Sequence, residues 1–234
     1  MSMAFAERFS GVRRAQPLAE HRLSLLEAEL HPGMTERDAA ACLRDICLSH
    51  AGVQQALTDM VLSGPNGAGF HDFASDREIE PGDLILIDFS LVADGWYSDM
   101  TRVFSLGPPP EEARRICAVT ALAKERAASL LRPGVTGAEL YRAAKGVLAR
   151  HGYGDCFPHA LGHGIGHEMH QPPSLCAGGE APIPMGTVFS IEPGVYLPGR
   201  FGARLEDLYY LDEGGAVCLN QTPAVLKILP LHSK

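Results

Sequence analysis

Four acids fall into two matched pairs in this 234-residue sequence. Asp88 and Asp99 lie in Ile-Asp88-Phe-Ser-Leu-Val-Ala-Asp-Gly-Trp-Tyr-Ser-Asp99-Met-Thr-Arg102. Glu192 and Glu206 lie in Ile-Glu192-Pro-Gly-Val-Tyr-Leu-Pro-Gly-Arg-Phe-Gly-Ala-Arg204-Leu-Glu206-Asp. Between the pairs comes a His-Gly cluster, His159-Ala-Leu-Gly-His163-Gly-Ile-Gly-His167-Glu-Met-His170. Carboxylates brought to one point repel one another unless cations neutralise them. Four of them with a histidine therefore predict a metal site, and one that holds two metals. Oxygen-rich sites suit Mn, Co, Fe(II) or Zn, and the sequence does not select among these. Two such ions about 3.5–4 Å apart could share a water and lower its pKa toward ~7, so that hydroxide attacks a carbonyl at neutral pH.

Each residue alone has a plainer reading. A strand Asp beside a turn is usually structural, Glu192-Pro-Gly could be only a turn, and a lone His163 is more often a hydrogen-bonded core histidine. Their ordered joint appearance is what argues for metal. His163-x-x-x-His167 invites a zinc-protease reading, which needs a helix to bring both rings to one face. Gly162, Gly164 and Gly166 oppose a helix there, and fit better a close approach of backbone to the site. His167 then reads as an exposed or pocket-edge residue. Gly64-Pro-Asn-Gly-Ala-Gly69 lacks the Lys-Ser/Thr ending of a phosphate loop and leads instead to His71. Trp96 and Tyr97 read as packing.

The elements that must position these groups repeat once. Leu30-His-Pro-Gly-Met-Thr35 returns 101 residues later as Leu131-Arg-Pro-Gly-Val-Thr136, and Thr35 and Thr136 can each cap a following helix. Pro81-Gly82 leads into the run ending at Asp88, as Pro184-Met-Gly186 leads into the run ending at Glu192. Two half-domains follow, each expected to run helix, helix, strand, strand, over about 20–107 and 111–215. Leu84 to Asp88 is an apolar strand, Ala93-Asp94-Gly95 a hairpin turn, and Trp96 to Phe104 the return. Val188 to Glu192 and Arg204 to Leu211 repeat the device around a Pro/Gly-rich loop. Residues 111–131 carry Ile116, Val119, Ala123, Ala127 and Leu130 at helical spacing.

Bulk composition excludes several classes. A hydrophobic content of 46% with 21% charged residues is that of a soluble globular chain, and the net charge of −8 opposes a nucleic-acid surface. No apolar run is long enough to span a membrane. Met-Ser-Met-Ala-Phe-Ala-Glu-Arg has no signal-peptide pattern, so a cytoplasmic location is expected. Six scattered cysteines without a Cys-x-x-Cys pair read as free thiols.

Three strings decide a resemblance: Tyr97-Ser-Asp-Met-Thr-Arg102, Glu192-Pro-Gly-Val-Tyr196 and Arg204-Leu-Glu-Asp207. With the ending Cys218-Leu-Asn-Gln-Thr-Pro-Ala-Val-Leu, they make the chain, from about residue 20, resemble the pita-bread metallopeptidases of family M24, in the aminopeptidase P/prolidase branch. The resemblance implies an α+β fold of two pseudo-symmetric halves around a central antiparallel sheet, with 1–234 forming one catalytic domain. It implies Asp88, Asp99, His163, Glu192 and Glu206 as ligands of two divalent metals, with Asp99 and Glu206 bridging them. His71, His159 and His170 match positions near the substrate, and Arg204 one that supports the acids. In the expected reaction Glu192 moves the water proton to the leaving amine, His170 with one metal stabilises the oxyanion and His71 orients the substrate or leaving group. The expected activity is release of the N-terminal residue of short peptides, Xaa-Pro among them.

Departures keep two alternatives open. Ser90 replaces the glycine usual after Asp-x, and Gln171 an acid common beside His170. Proline-directed relatives carry an N-terminal domain that shapes pocket and dimer, where this sequence has a short helical lead; a homodimer is an expectation from the branch alone. One alternative is a creatinase-like or other C–N hydrolase acting on a small amide, although creatinase-like relatives have lost ligands that this chain keeps. The other is a non-catalytic binding module, which the intact ligand set opposes.

Overall fold

Helix pairs open each half of the chain: α1 (Met3–Leu26) and α2 (Glu36–Leu48), then α3 (Glu111–Ala128) and α4 (Gly137–Arg150). A computed structural model describes residues 3–231; the first two residues of the N-terminal string read above, and the ends of the expected 1–234 domain, lie outside these. Thr35 and Thr136 cap α2 and α4 as expected. Each hydroxyl accepts from the N–H of Asp38 or Glu139, and that acid accepts from the threonine N–H. The reciprocal boxes satisfy donors that a first helical turn leaves unpaired. The parallel extends outward, because Thr35 bridges Glu78 and Thr136 bridges Pro182. The helix expected over 111–131 stops at Ala128, where the chain turns toward Gly134 (φ +83°).

The strands of the first half are β1 (Val53–Ser63), β2 (Leu84–Ala93), β3 (Trp96–Tyr97) and β4 (Met100–Leu106). Those of the second begin with β5 (Gly162–Gly164), β6 (Gln171–Leu175), β7 (Thr187–Ile191) and β8 (Gly194–Leu197). They end with β9 (Phe201–Arg204), β10 (Asp207–Asp212), β11 (Gly215–Cys218) and β12 (Lys227–Leu229). Further strands join the expected order of helix, helix, strand, strand: β1 precedes the expected pair in the first half, and β5 and β6 precede it in the second. β1 escapes a pattern reading because register shifts near Gln55 and between Leu57 and Met60 break its alternation. β5 escapes it because two of its three residues are glycine.

The sheet expected as one is divided. One sheet runs β1-β2-β4-β12 with β3 paired to β2, a second runs β11-β10-β7-β5-β6, and β8–β9 form a separate ribbon. β12 against β4 is parallel; the other pairings are antiparallel. Within each sheet the same trio recurs, β1-β2-β4 and β5-β7-β10.

Hairpin geometry sets the acids. Asp94 (φ 52°) and Gly95 (φ 76°) both adopt the left-handed conformation that a two-residue turn with the right twist requires. On the return the strand breaks at Ser98 and Asp99, between β3 and β4. There the Gln16 side chain of α1 accepts from the Asp99 N–H and donates to the Asp99 carbonyl, both at 3.1 Å. Glu192 occupies the break between β7 and β8, and Glu206 the break between β9 and β10. Asp88 stays within β2, opposite Thr101.

Each helix pair packs on its own sheet. Leu23, Leu26, Leu43, Ile85, Ile87 and Phe89 belong to one core, and Ile116, Val119, Leu140, Leu148 and Phe189 to another. A third cluster joins the halves through Val12, Trp96, Ile165, Val188, Leu208 and Tyr210, so Trp96 does pack as expected. Buried charge crosses the same seam: Arg102 on β4 pairs with Asp207 on β10 at 2.8 Å, and Lys124 of α3 pairs with the other oxygen of Asp207.

Candidate metal centre

Asp88, Asp99, His163, Glu192 and Glu206 line one cavity of about 300 Å³, together with His71, His159, His170 and Arg204. His163 Nε2 stands 3.3 Å from Glu192 Oε1 and 3.6 Å from Asp99 Oδ2. Donor atoms of Asp99, His163 and Glu206 all fall within 4.8 Å of one another. The glycines around His163 explain how its ring reaches this point. A Cβ on Gly162 would meet the Ser190 carbonyl oxygen at 2.0 Å, and one on Gly164 the Pro172 oxygen at 2.3 Å. Only glycine lets β5 sit this tightly between β6 and β7. His163 therefore lies on a strand and not on a helix, while His167 is exposed and stacks on Trp96. Ser190 ties the strands together, accepting from the His163 N–H (3.0 Å) and donating to Glu192 Oε1 (2.9 Å).

Electrostatics set the acids apart. Burial, and then the charges of neighbouring acids, hold Asp99 and Glu206 well above the usual carboxylate range. Burial works most strongly against charge on Glu192 and His163, but their mutual hydrogen bond and the surrounding charges together outweigh it. Glu192 falls to about 2 and the His163 imidazolium rises to about 9. His170 is pushed down by burial and by the His163 charge.

Arg204 connects the acids to the wall of the cavity. Its guanidinium pairs with Asp88 and donates to Thr101 Oγ1 (3.2 Å), the Tyr196 hydroxyl (2.8 Å), the Phe70 carbonyl (3.1 Å) and the Met60 sulfur (2.9 Å). Thr101 passes the contact on, donating to Glu206 Oε2 at 2.8 Å. Tyr196 passes it to His159 Nε2 at 2.8 Å, and His159 Nδ1 meets the Ala160 carbonyl at 2.7 Å. A carbonyl only accepts, so Nδ1 carries the proton and Nε2 accepts from the tyrosine. Burial favours this neutral ring by lowering the His159 pKa, and pushes the Tyr196 phenol up to about 12.

A model of metallopeptidase family M24 matches residues 10–213. The chain belongs to metallopeptidase family M24. The probable dipeptidase PepE of Mycobacterium tuberculosis is 39% identical over 203 residues, covering 86% of this chain and 54% of that protein. The Xaa-Pro dipeptidase of Pyrococcus furiosus is 35% identical over 211 residues, covering 90% of this chain and 61% of that protein. Among solved structures, the X-Pro aminopeptidase of Thermotoga maritima superposes with a TM-score of 0.89 at 34% identity, covering 94% of this chain and 63% of that one. The chain thus spans between about half and two thirds of the length of these relatives. The two matched halves are those of the pita-bread fold.

The donor set of this M24 chain fits divalent metal. Glu206 Oε1 is buried and has no hydrogen-bond partner among the described residues, a costly arrangement unless another group completes it. Carboxylate oxygens and one imidazole are donors that such ions accept. Sequence reasoning missed Tyr196 as the link between Arg204 and His159, Thr101 as the partner of Glu206, and Ser190 beneath His163. Tyr196 stands within the quoted Glu192-Pro-Gly-Val-Tyr string, so its signal was present. The partners of Thr101 and Ser190 appear only when the strands are assembled.

Proposed function

We propose that this M24 chain is a metal-dependent peptidase that releases the N-terminal residue of short peptides, with Xaa-Pro dipeptides as the first candidates. The observation that carries the reading is the gathering of five donor residues in one cavity around a buried carboxylate oxygen with no hydrogen-bond partner among the described residues. The relatives, a probable dipeptidase and an Xaa-Pro dipeptidase, support it.

Asp88, Asp99, His163, Glu192 and Glu206 would hold two divalent ions, of Mn, Co, Fe or Zn. When bound, these ions would supply a water acidic enough to ionise near neutral pH and an electrophile for the peptide carbonyl. The chain's own groups do the rest. Glu192, ionised at neutral pH, accepts a proton and returns it to the leaving amine. His170, kept neutral by burial and by its neighbour's charge, retains an N–H for the developing oxyanion. His71, exposed at the cavity wall, orients the leaving group. His159 has both ring nitrogens engaged, so it acts by holding Tyr196 and by presenting its ring face to the substrate. The scattered spacing of the six cysteines, with no Cys-x-x-Cys pair, favours a reducing compartment such as the cytoplasm.

The test is metal content followed by turnover. Purified protein should carry about two ions per chain, Asp99→Ala should lose them, and the loaded protein should hydrolyse Xaa-Pro dipeptides. No turnover on a broad peptide panel with each of the four metals would overturn the reading.

A further inference from the structure

Between β5 and β6 the chain makes an irregular turn over residues 165–170, and His170 stands at its far end. On its C-terminal side His170 is held by the ladder, because the next residue, Gln171, pairs with Gly164. On its N-terminal side the turn opens with Gly164-Ile165-Gly166, a backbone that resists movement poorly. A side chain that must meet a developing charge needs firmer support, since a misplacement of about 1 Å costs on the order of 100-fold in rate.

The support comes from the other half of the molecule. The Tyr97 N–H donates to the Gly166 carbonyl at 2.9 Å. One residue further on, His167 Nδ1 lies 2.8 Å from the Gly95 carbonyl. A carbonyl only accepts, so Nδ1 carries the proton. The same imidazole lies against the Trp96 indole, with ring centroids 3.6 Å apart. Both partners are themselves fixed. Gly95 closes the hairpin between β2 and β3 at φ 76°, and its N–H donates to Gln54 Oε1 of β1 at 3.4 Å. Trp96 is pinned by α1, which passes so close that a Cβ on Gly11 would meet the indole at 2.1 Å. An exposed histidine ordinarily has a solvated ring; this one commits an N–H and a ring face to two fixed groups, three residues before His170. We propose that His167 is a positioning residue, which latches the β5–β6 turn onto the hairpin of the first half and so holds the His170 ring beside His163, 4.2 Å away between centroids. The proposal rests on the peptidase reading above and adds a residue that acts on the oxyanion step through His170. His167 is not among the residues lining the cavity, so it does so without touching substrate.

Three variants of the full metal-loaded chain test it, with Leu-Pro as substrate. His167→Ala removes the hydrogen bond and the ring contact. His167→Leu keeps an apolar cover on Trp96 but loses the N–H. His167→Asn returns an N–H close to the position of Nδ1. His167→Ala and His167→Leu should lower kcat about fivefold to tenfold with KM within about twofold, because the support lost serves the transition state. His167→Asn should recover most of kcat, and all three should keep the metal content of the parent. Residue-resolved hydrogen exchange reads the docking without turnover: the Tyr97 amide should exchange about fivefold to tenfold faster in His167→Ala and near the parent rate in His167→Asn. An unchanged kcat in His167→Ala, a loss that His167→Asn does not recover, or a loss of metal would overturn the proposal while the peptidase reading stands. If the parent chain does not hydrolyse peptides, the peptidase reading falls and the exchange decides the latch. Faster Tyr97 exchange in His167→Ala would then support the latch, and an unchanged rate would overturn both.

Discussion

Arg204 divides its donors among Asp88, Thr101, Tyr196, the Phe70 carbonyl and the Met60 sulfur. A lysine has the charge but not the planar fork, and can satisfy only part of this set. Arg204→Lys is expected to weaken metal binding about 10–100-fold, read by metal titration, with the Tyr196–His159 contact loosened as well. An unchanged metal affinity would show that Asp88 does not depend on its guanidinium partner. Residue types and spacing made the acids and His163 legible, because few other functions place two acid pairs in matching strings. Glu36 was not legible: an acid at the start of a helix ordinarily complements the helix dipole in solvent. Its burial follows from Ser63, Asn66 and Ser75 folding back over it, which no local pattern announces.

At the scale of elements, the breaks matter as much as the strands. Three of the four acids sit where a strand is interrupted, which frees the side chain from the alternation that would otherwise fix its face. The hairpin around Asp94-Gly95 and both capping boxes were readable because their chemistry is local. β1 and β5 were not, since a bulge and glycines erase the period that marks a strand. β5 is also where packing is least tolerant. Gly162→Ala should force β5 away from Ser190, destabilising the fold by about 2–4 kcal/mol and displacing His163. Urea unfolding would give the first quantity and metal content the second. A variant as stable as the parent with its metal retained would mean that the strands can part without cost.

For the molecule as a whole, the candidate metal centre lies on the seam between halves, so its charge state bears on the stability of both. Asp99 and Glu206 are held above their ordinary values, by burial first and then by neighbouring acids, and His163 is raised to about 9. Without metal, the folded chain binds these protons more tightly than the unfolded chain. That contribution is complete at acid pH, and it is lost as pH rises through the raised values. Glu192, lowered to about 2, contributes above its ordinary value and is constant over the same interval. Chelation should therefore lower Tm more at about pH 8 than at about pH 5, as scanning calorimetry with and without chelator would record. A metal-free Tm that climbs between those values would contradict the assignment.

The clasp of Gln16 on Asp99 carries a mechanical meaning. One amide side chain meets the N–H and the carbonyl of the same residue, as a neighbouring strand would where the ladder runs out. Gln16 stands immediately before Pro17, in the middle of α1. The amide joins α1 to Asp99 across 83 positions of sequence, beside the packing of Val12 with Trp96. The first helix thus fixes the backbone from which one carboxylate of the candidate centre projects, so the placement of that acid is tied to the placement of α1.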